Sequence, residues 1–408
     1  MQQSDRTFEC TSKLVLRDPS EIAWEACPQL HTLILVRGVQ RLMPGKGHNI
    51  IVIGTSAGGL EVLDSLIGQL PTDLSASIFI VQHMAPENTG GALLHRLGRH
   101  RAFESKLAED GESFKPGRIY IAPSDNHLLL KQDTVLVTKG ARENRSRPGI
   151  DPLFRSAAVS HTSRVIGVVL TGMLDDGTAG LIAIKKCGGI TVVQDPKDAA
   201  YPGMPQSALN NLKVDYCVPI AEMGVLLEKL TLERPGKSKP IPKDVRIEAE
   251  IAERVLSDVA EVNTLGKQVP YNCPNCGGVL WEMDSPDVSR YRCHTGHSFT
   301  VPALLESQSE KIEETLWMSL RMFEERKNLL NSTQGPFAVQ RAKETQVHID
   351  RIRAILLDPR TWQHTLDRVK KSMSAIPKTR SVRREEEREQ HAAASLLRQK
   401  AMGRIRSK

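Results

Sequence analysis

Between positions 48 and 232 the chain changes rhythm repeatedly. Short apolar runs at 49–54, 76–82, 118–122, 134–138, 165–170, 190–194 and 216–218 read as strands. Between several of them, apolar positions recur at helical spacing, giving helices at 60–67, 92–97, 150–160, 179–187 and 206–211. Continuous apolar runs alternating with helices are what a parallel sheet covered on both faces requires. The expected fold is therefore a doubly wound, mostly parallel α/β domain over 48–232, preceded by an irregular extension at 1–47. Residues 233–269 open with Pro235-Gly236, Pro240 and Pro242 and read as a linker. A small cysteine-bearing module follows at 270–300, then a helical region at 301–376 whose Leu304, Leu305, Ile312, Leu316, Leu320 and Phe323 form an apolar stripe, and a basic tail at 377–408.

The 408 residues carry a formal charge of +7, but ten Lys/Arg against four Glu lie within 378–408, so the rest is nearly neutral. Nucleic acid is thus not expected as a partner. No stretch approaches the ~18 apolar residues of a spanning helix, and no apolar segment follows the first residues, so membrane insertion and export are not expected. Seven cysteines, an odd number, with Cys187 and Cys217 alone inside apolar patterns, fit reduced thiols and a cytoplasmic location.

Gly54-Thr55-Ser56-Ala57-Gly58 fits G-x-S-x-G directly after the strand at 49–54. A serine on such a sharp turn has its hydroxyl pushed out at the carboxyl edge of the sheet. His83 stands just past the strand at 76–82, and Asp176 lies in the glycine-bearing turn after 165–170. Carboxyl edges of an open α/β sheet line one rim, so the three can meet as nucleophile, base and orienting carboxylate. Each residue has a plainer reading: Ser56 as part of a phosphate cradle, His83 as an edge histidine, and Asp176 as the cap of the helix beginning near Thr178.

With these blocks in view, residues 50–59, Val81-Gln82-His83, Ile121-Ala122-Pro123, 153–158, 170–173 with Asp176-Gly177, and Gln194-Asp195 with Gly203-Met204-Pro205 together resemble the catalytic domain of CheB-type protein-glutamate methylesterases, over about 48–232. The resemblance implies a serine esterase that removes methyl esters from glutamates on the cytoplasmic part of chemoreceptors, with receptor-glutamine deamidation as a further activity and no catalytic cofactor. It assigns Ser56 as nucleophile, His83 as base and Asp176 as carboxylate, with Met173 lining the site beside the oxyanion. Ala57 stands where threonine is frequent, which leaves its backbone N–H but no hydroxyl. The implied partners are methylated chemoreceptors and other chemotaxis signalling proteins. The 47 residues before the domain are too few for a phospho-receiver, so an esterase with no fused phosphorylation switch is expected, controlled by another protein, by its own C-terminal part, or not at all.

Cys273-Pro274-Asn275-Cys276 is followed after sixteen residues by Cys293 and after three more by His297. This suits a closed tetrahedral zinc site of structural type, with His294 as the competing nitrogen ligand. Trp281, Tyr291 and Phe299 would pack around it. Two rival readings remain at this stage. One is a non-catalytic regulator or scaffold that uses the α/β domain and zinc module for docking; the other is nucleic-acid contact by the ribbon and basic tail.

Overall fold

The structure is a computed structural model that describes residues 47–358 except 101, 102, 256, 257, 286 and 334. The expected extension, apart from Gly47, and the expected basic tail lie outside the described residues, as does the end of the expected helical region.

The first half runs β1 (Ile50–Thr55), α1 (Gly59–Gln69), β2 (Ser77–Gln82), α2 (Gly91–Leu97), β3 (Glu104–Leu107), β4 (Arg118–Ile121), β5 (His127–Lys131), β6 (Thr134–Thr138) and α3 (Ile150–His161). It continues through β7 (Val165–Val169), α4 (Thr178–Cys187), β8 (Ile190–Gln194), α5 (Gly203–Asn211), β9 (Tyr216–Val218) and α6 (Ile220–Leu232). Seven strands form one sheet in the order β3-β4-β2-β1-β7-β8-β9, and every pairing is parallel. The fold class read from the sequence is present.

β1 shows why the sheet is two-faced. Ile50 and Val52 join one buried cluster, with Leu153 and Phe154 of α3 and Leu181 of α4; Ile51 and Ile53 join the other, with Leu63 and Leu66 of α1 and Leu227 of α6. Alternate side chains of a strand point to opposite faces, so a run without polar residues needs helices on both. Each of these fully buried aliphatic side chains contributes roughly 1.5–3 kcal/mol. Gly54 lets α3 come close, since a Cβ there would fall 2.2 Å from an Ile150 side-chain carbon.

Two expectations are corrected here. The strand at 134–138 does not belong to the main sheet: it forms an antiparallel hairpin with β5, an apolar run the sequence reading passed over. Residues 233–269 are more than a linker. After an irregular start they hold α7 (Lys243–Arg254), α8 (Val259–Asn263) and most of β10 (Gly266–Asn272). Val245 of α7 packs into the main core, which an untethered connection would not do. The prolines end before α7, where Pro242 stands at its N-cap.

β10 pairs with β11 (Val279–Met283), β12 (Arg290–Cys293) and β13 (Ser298–Thr300) in an antiparallel sheet in sequence order. Its small core contains Leu280 and Phe299, and Trp281 is buried with its indole N–H on Asn263 Oδ1 at 2.8 Å. β13 leads directly into α9 (Val301–Ser332), capped by the Thr300 hydroxyl on the Ala303 N–H, and α10 (Pro336–Leu357) packs back along it. The α/β domain, four-stranded sheet and helical hairpin lie within one compact unit.

Five fully buried charges join these parts. Glu143 accepts from Arg155 at 2.5 Å and from Arg292 at 3.0 Å, while Glu248 of α7 binds Arg290 at 2.8 Å and Arg292 at 3.1 Å. Burial alone would raise both carboxyls, yet the neighbouring guanidinium charges hold each below its ordinary value.

Candidate active site

The sheet order changes direction beside β1: β2 continues the chain on one side and β7 on the other. That switch point is where an open α/β sheet opens a crevice at its carboxyl ends. β1 and β2 are paired through Thr55 and Gln82, so Ser56 and His83 occupy the next position along that ladder. The turn at Ser56 is then tied down by residues the sequence reading gave no role. Thr171 accepts the Ser56 N–H on its carbonyl at 3.0 Å, and its hydroxyl donates to the Ala57 carbonyl at 3.0 Å. Gln82 donates to the Ser56 carbonyl at 2.8 Å, and Gln194 accepts the Thr171 N–H at 2.9 Å.

Gly58 closes the turn at φ 74°, a left-handed conformation open to glycine. Gly172 matters for space instead: a Cβ there would sit 2.1 Å from Met204 Sδ and 2.9 Å from Ser56 Cβ.

Asp176 is buried and receives five donors. His83 Nε2 lies 2.8 Å from Oδ2, which also accepts the Ile150 N–H at 2.8 Å. Oδ1 accepts from Asn144 Nδ2 at 3.0 Å and from the N–H groups of Gly177 at 2.9 Å and Asp151 at 3.2 Å. Ile150 and Asp151 open α3, so the carboxylate also faces a helix N-terminus. Burial acts to raise the Asp176 carboxyl, but the His83 hydrogen bond and charge, followed by the Ile150 N–H and Asn144 amide, hold it below the ordinary carboxylate value. Asp151, which binds the Gly180 N–H at 2.6 Å and Asn144 Nδ2 at 2.9 Å, is pushed up by burial and then by the charge of Asp176.

His83 and Asp176 are thus brought into contact as the sequence suggested. Ser56 is brought alongside, but its hydroxyl is not hydrogen-bonded to His83. The other imidazole nitrogen, Nδ1, is 3.3 Å from Ser146 Oγ. Nε2–H facing a carboxylate leaves Nδ1 as the basic nitrogen, an assignment made from the hydrogen-bond network. Ser146 was not anticipated, because nothing in its local sequence distinguishes it.

Ala57 is half-buried, and its N–H has no partner among the described residues. Met173 is 38% exposed and lines a mostly apolar cleft of about 530 Å³ with Tyr201, Gln206, Val288 and Pro302. One wall of this cleft belongs to the C-terminal part of the chain.

The Cys273, Cys276, Cys293 and His297 ligand atoms lie within 4.8 Å of one another, and His297 rather than His294 completes the group. Cys276 Sγ is 3.8 Å from Cys293 Sγ, which is 3.5 Å from His297 Nδ1. Tetrahedral zinc with ordinary bond lengths requires S···S and S···N separations of about 3.8 and 3.5 Å. The donor set and its spacing fit that metal.

The CheB methylesterase family model matches residues 51–227. A relative from Leptospira interrogans described as a protein-glutamate methylesterase/protein-glutamine glutaminase is 40% identical over 193 residues, covering 46% of this chain and 98% of its own length. Relatives with the same description from Thermotoga maritima (39% over 195 residues) and Geobacter metallireducens (40% over 178) match 46% and 43% of this chain, and 56% and 48% of their own. The crystal structure of the Thermotoga maritima CheB methylesterase catalytic domain is 39% identical and aligns over 45% of this chain and 98% of its own, with a TM-score of 0.43. With nearly the whole Leptospira relative matched at that identity, the chain belongs to the CheB methylesterase family.

Proposed function

We propose that this chain is a serine-type carboxylic ester hydrolase that removes methyl groups from glutamate side chains on the cytoplasmic helical part of chemoreceptors, and that it works in the cytoplasm. Among the described residues no helix is long and apolar enough to cross a membrane, consistent with that setting. Deamidation of receptor glutamines is the same acyl chemistry with ammonia as leaving group.

The observation that carries the reading is the His83–Asp176 contact at 2.8 Å beside Ser56 at the switch point of the sheet. Ser56 Oγ attacks the γ-carbonyl while His83 Nδ1 takes its proton. Methoxide then leaves with that proton as methanol, giving the Ser56 acyl ester. Water, deprotonated by His83, releases the glutamate carboxylate and returns the proton to Ser56. Asp176 holds the imidazole tautomer and stabilises its charged form. In this reading the N–H groups of Ala57 and Met173 bind the oxyanion, an interaction whose loss typically costs about 10²–10³ in rate. For Ser56 to reach Nδ1, Ser146 must give up its own bond.

The Ser146 contact supports a second reading, in which the hydroxyl at 146 attacks. Methanol release from methylated receptor fragment by wild type, Ser56→Ala and Ser146→Ala separates the two: loss only in Ser56→Ala is expected. Loss only in Ser146→Ala would reassign the nucleophile, and no release by the wild type would favour the scaffold reading.

We further propose that Cys273, Cys276, Cys293 and His297 hold a structural zinc ion. Three thiolates and an imidazole leave no open position for substrate. Elemental analysis should give about one zinc per full-length chain, abolished in Cys276→Ser; a zinc-free, folded wild type would rule the site out.

A further inference from the structure

Asn144 connects the catalytic carboxylate to the C-terminal sheet. It is 5% exposed and takes the left-handed conformation, with φ 46°. Its Nδ2 donates to Asp176 Oδ1 at 3.0 Å and to Asp151 Oδ2 at 2.9 Å. At the other end, Oδ1 accepts the Thr300 N–H at 3.2 Å, and the Asn144 N–H donates to the Ser298 carbonyl at 2.8 Å. Ser298 and Thr300 belong to β13, where the small sheet runs into α9.

Neighbouring residues reinforce the connection. Glu143 is ion-paired to Arg292 of β12, Arg145 reaches Glu310 of α9, and Ser146 touches the His83 imidazole. A single loop thus contacts both the base and its carboxylate while gripped by the C-terminal elements.

We infer that Asn144 is a positioning residue for ester hydrolysis, and that the C-terminal sheet acts on the active site through it. The inference rests on the proposed triad and adds to it a role for the chain beyond the α/β domain. An amide suits this place for a specific reason. Its NH₂ carries two hydrogens for two carboxylates, while its oxygen meets the Thr300 donor. An aspartate would set a third acceptor against two carboxylates and could donate only when protonated. An alanine would leave Asp176 and Asp151 facing each other with no shared donor.

The test uses the full-length chain and methanol release from methylated receptor fragment. Asn144→Ala should lower kcat about 10–100-fold, the scale of a misplaced catalytic group, with KM within about twofold of wild type. Asn144→Asp should be at least as impaired at pH 8 and regain activity relative to wild type as pH falls toward 5, when its carboxyl can donate. If Asn144→Ala does not yield folded protein, the pH dependence of the Asn144→Asp ratio carries the test. Thr300→Ala keeps the N–H and loses only the helix cap, so kcat should stay near wild type. Thr300→Pro, tolerated by the φ of −75°, removes that N–H and should lower kcat as Asn144→Ala does.

Wild-type kcat in Asn144→Ala, a loss confined to KM, a flat Asn144→Asp ratio, or equal kcat in the two Thr300 variants would overturn the inference. Undiminished release by Ser56→Ala would instead overturn the triad on which it stands.

Discussion

Replacing Arg292 by methionine removes the guanidinium that the α/β domain, α7 and the C-terminal sheet share. Arg292 has no exposed surface and donates to Glu143 Oε1 at 3.0 Å, Glu248 Oε1 at 3.1 Å and the Gly296 carbonyl at 3.0 Å. Methionine preserves most of the volume, so the cost is electrostatic and hydrogen-bonding rather than a cavity. Breaking a buried pair by deleting one partner costs about 3–5 kcal/mol. Here Glu143 keeps Arg155 and Glu248 keeps Arg290, which places the expectation near the lower end, about 3 kcal/mol. That is a factor of roughly 10² in the folding equilibrium and a large share of the roughly 5–15 kcal/mol that holds a typical domain together. Urea unfolding followed by tryptophan fluorescence and far-ultraviolet circular dichroism would measure it. Combining Arg292→Met with Glu143→Gln should cost less than the sum of the two, because both remove the same contact. A loss below about 1 kcal/mol, or strict additivity, would refute the view that these charges fasten the parts together.

Gly172→Ala forces a methyl toward Met204 Sδ and Ser56 Cβ, so kcat should fall about 100-fold in methanol release, with roughly 1–3 kcal/mol of destabilisation. Full activity in a folded variant would contradict a catalytic role for the packing beneath Ser56. His161 is pushed down to about 4 by burial and then by the Arg164 charge. Because the folded state disfavours its charged form, stability is intact above pH 6.5 and falls as pH drops toward 4, by up to about 3 kcal/mol. His161→Phe should flatten the acid side of a urea-midpoint profile over that window; an unchanged slope would count against the assignment.

Much of the fold was legible because its signals are local. The apolar residues of β1 serve two faces, and the helices between strands carry their own period. Ser56, His83 and Asp176 could be nominated because each follows an apolar run, and the four metal-ligand candidates because their spacing is short. Other features gave no such signal. Glu248 sits in a charge-rich stretch after prolines, and its burial depends on arginines 42 and 44 residues further on. Asn144 lies in an unpatterned loop, yet contacts Asp176 and Thr300, 32 and 156 residues away.

By itself, then, the sequence determined the period of most elements of the α/β domain, the family blocks and the nomination of the triad, since backbone geometry and turn chemistry act over a few residues. Only the tertiary structure decided that Ser146 rather than Ser56 lies on His83 Nδ1, that β6 leaves the main sheet, and that the C-terminal sheet reaches the Asp176 carboxylate through Asn144. The physical reason is that a buried polar group must find its partner wherever packing delivers one, and that choice belongs to the assembled core rather than to neighbours in sequence.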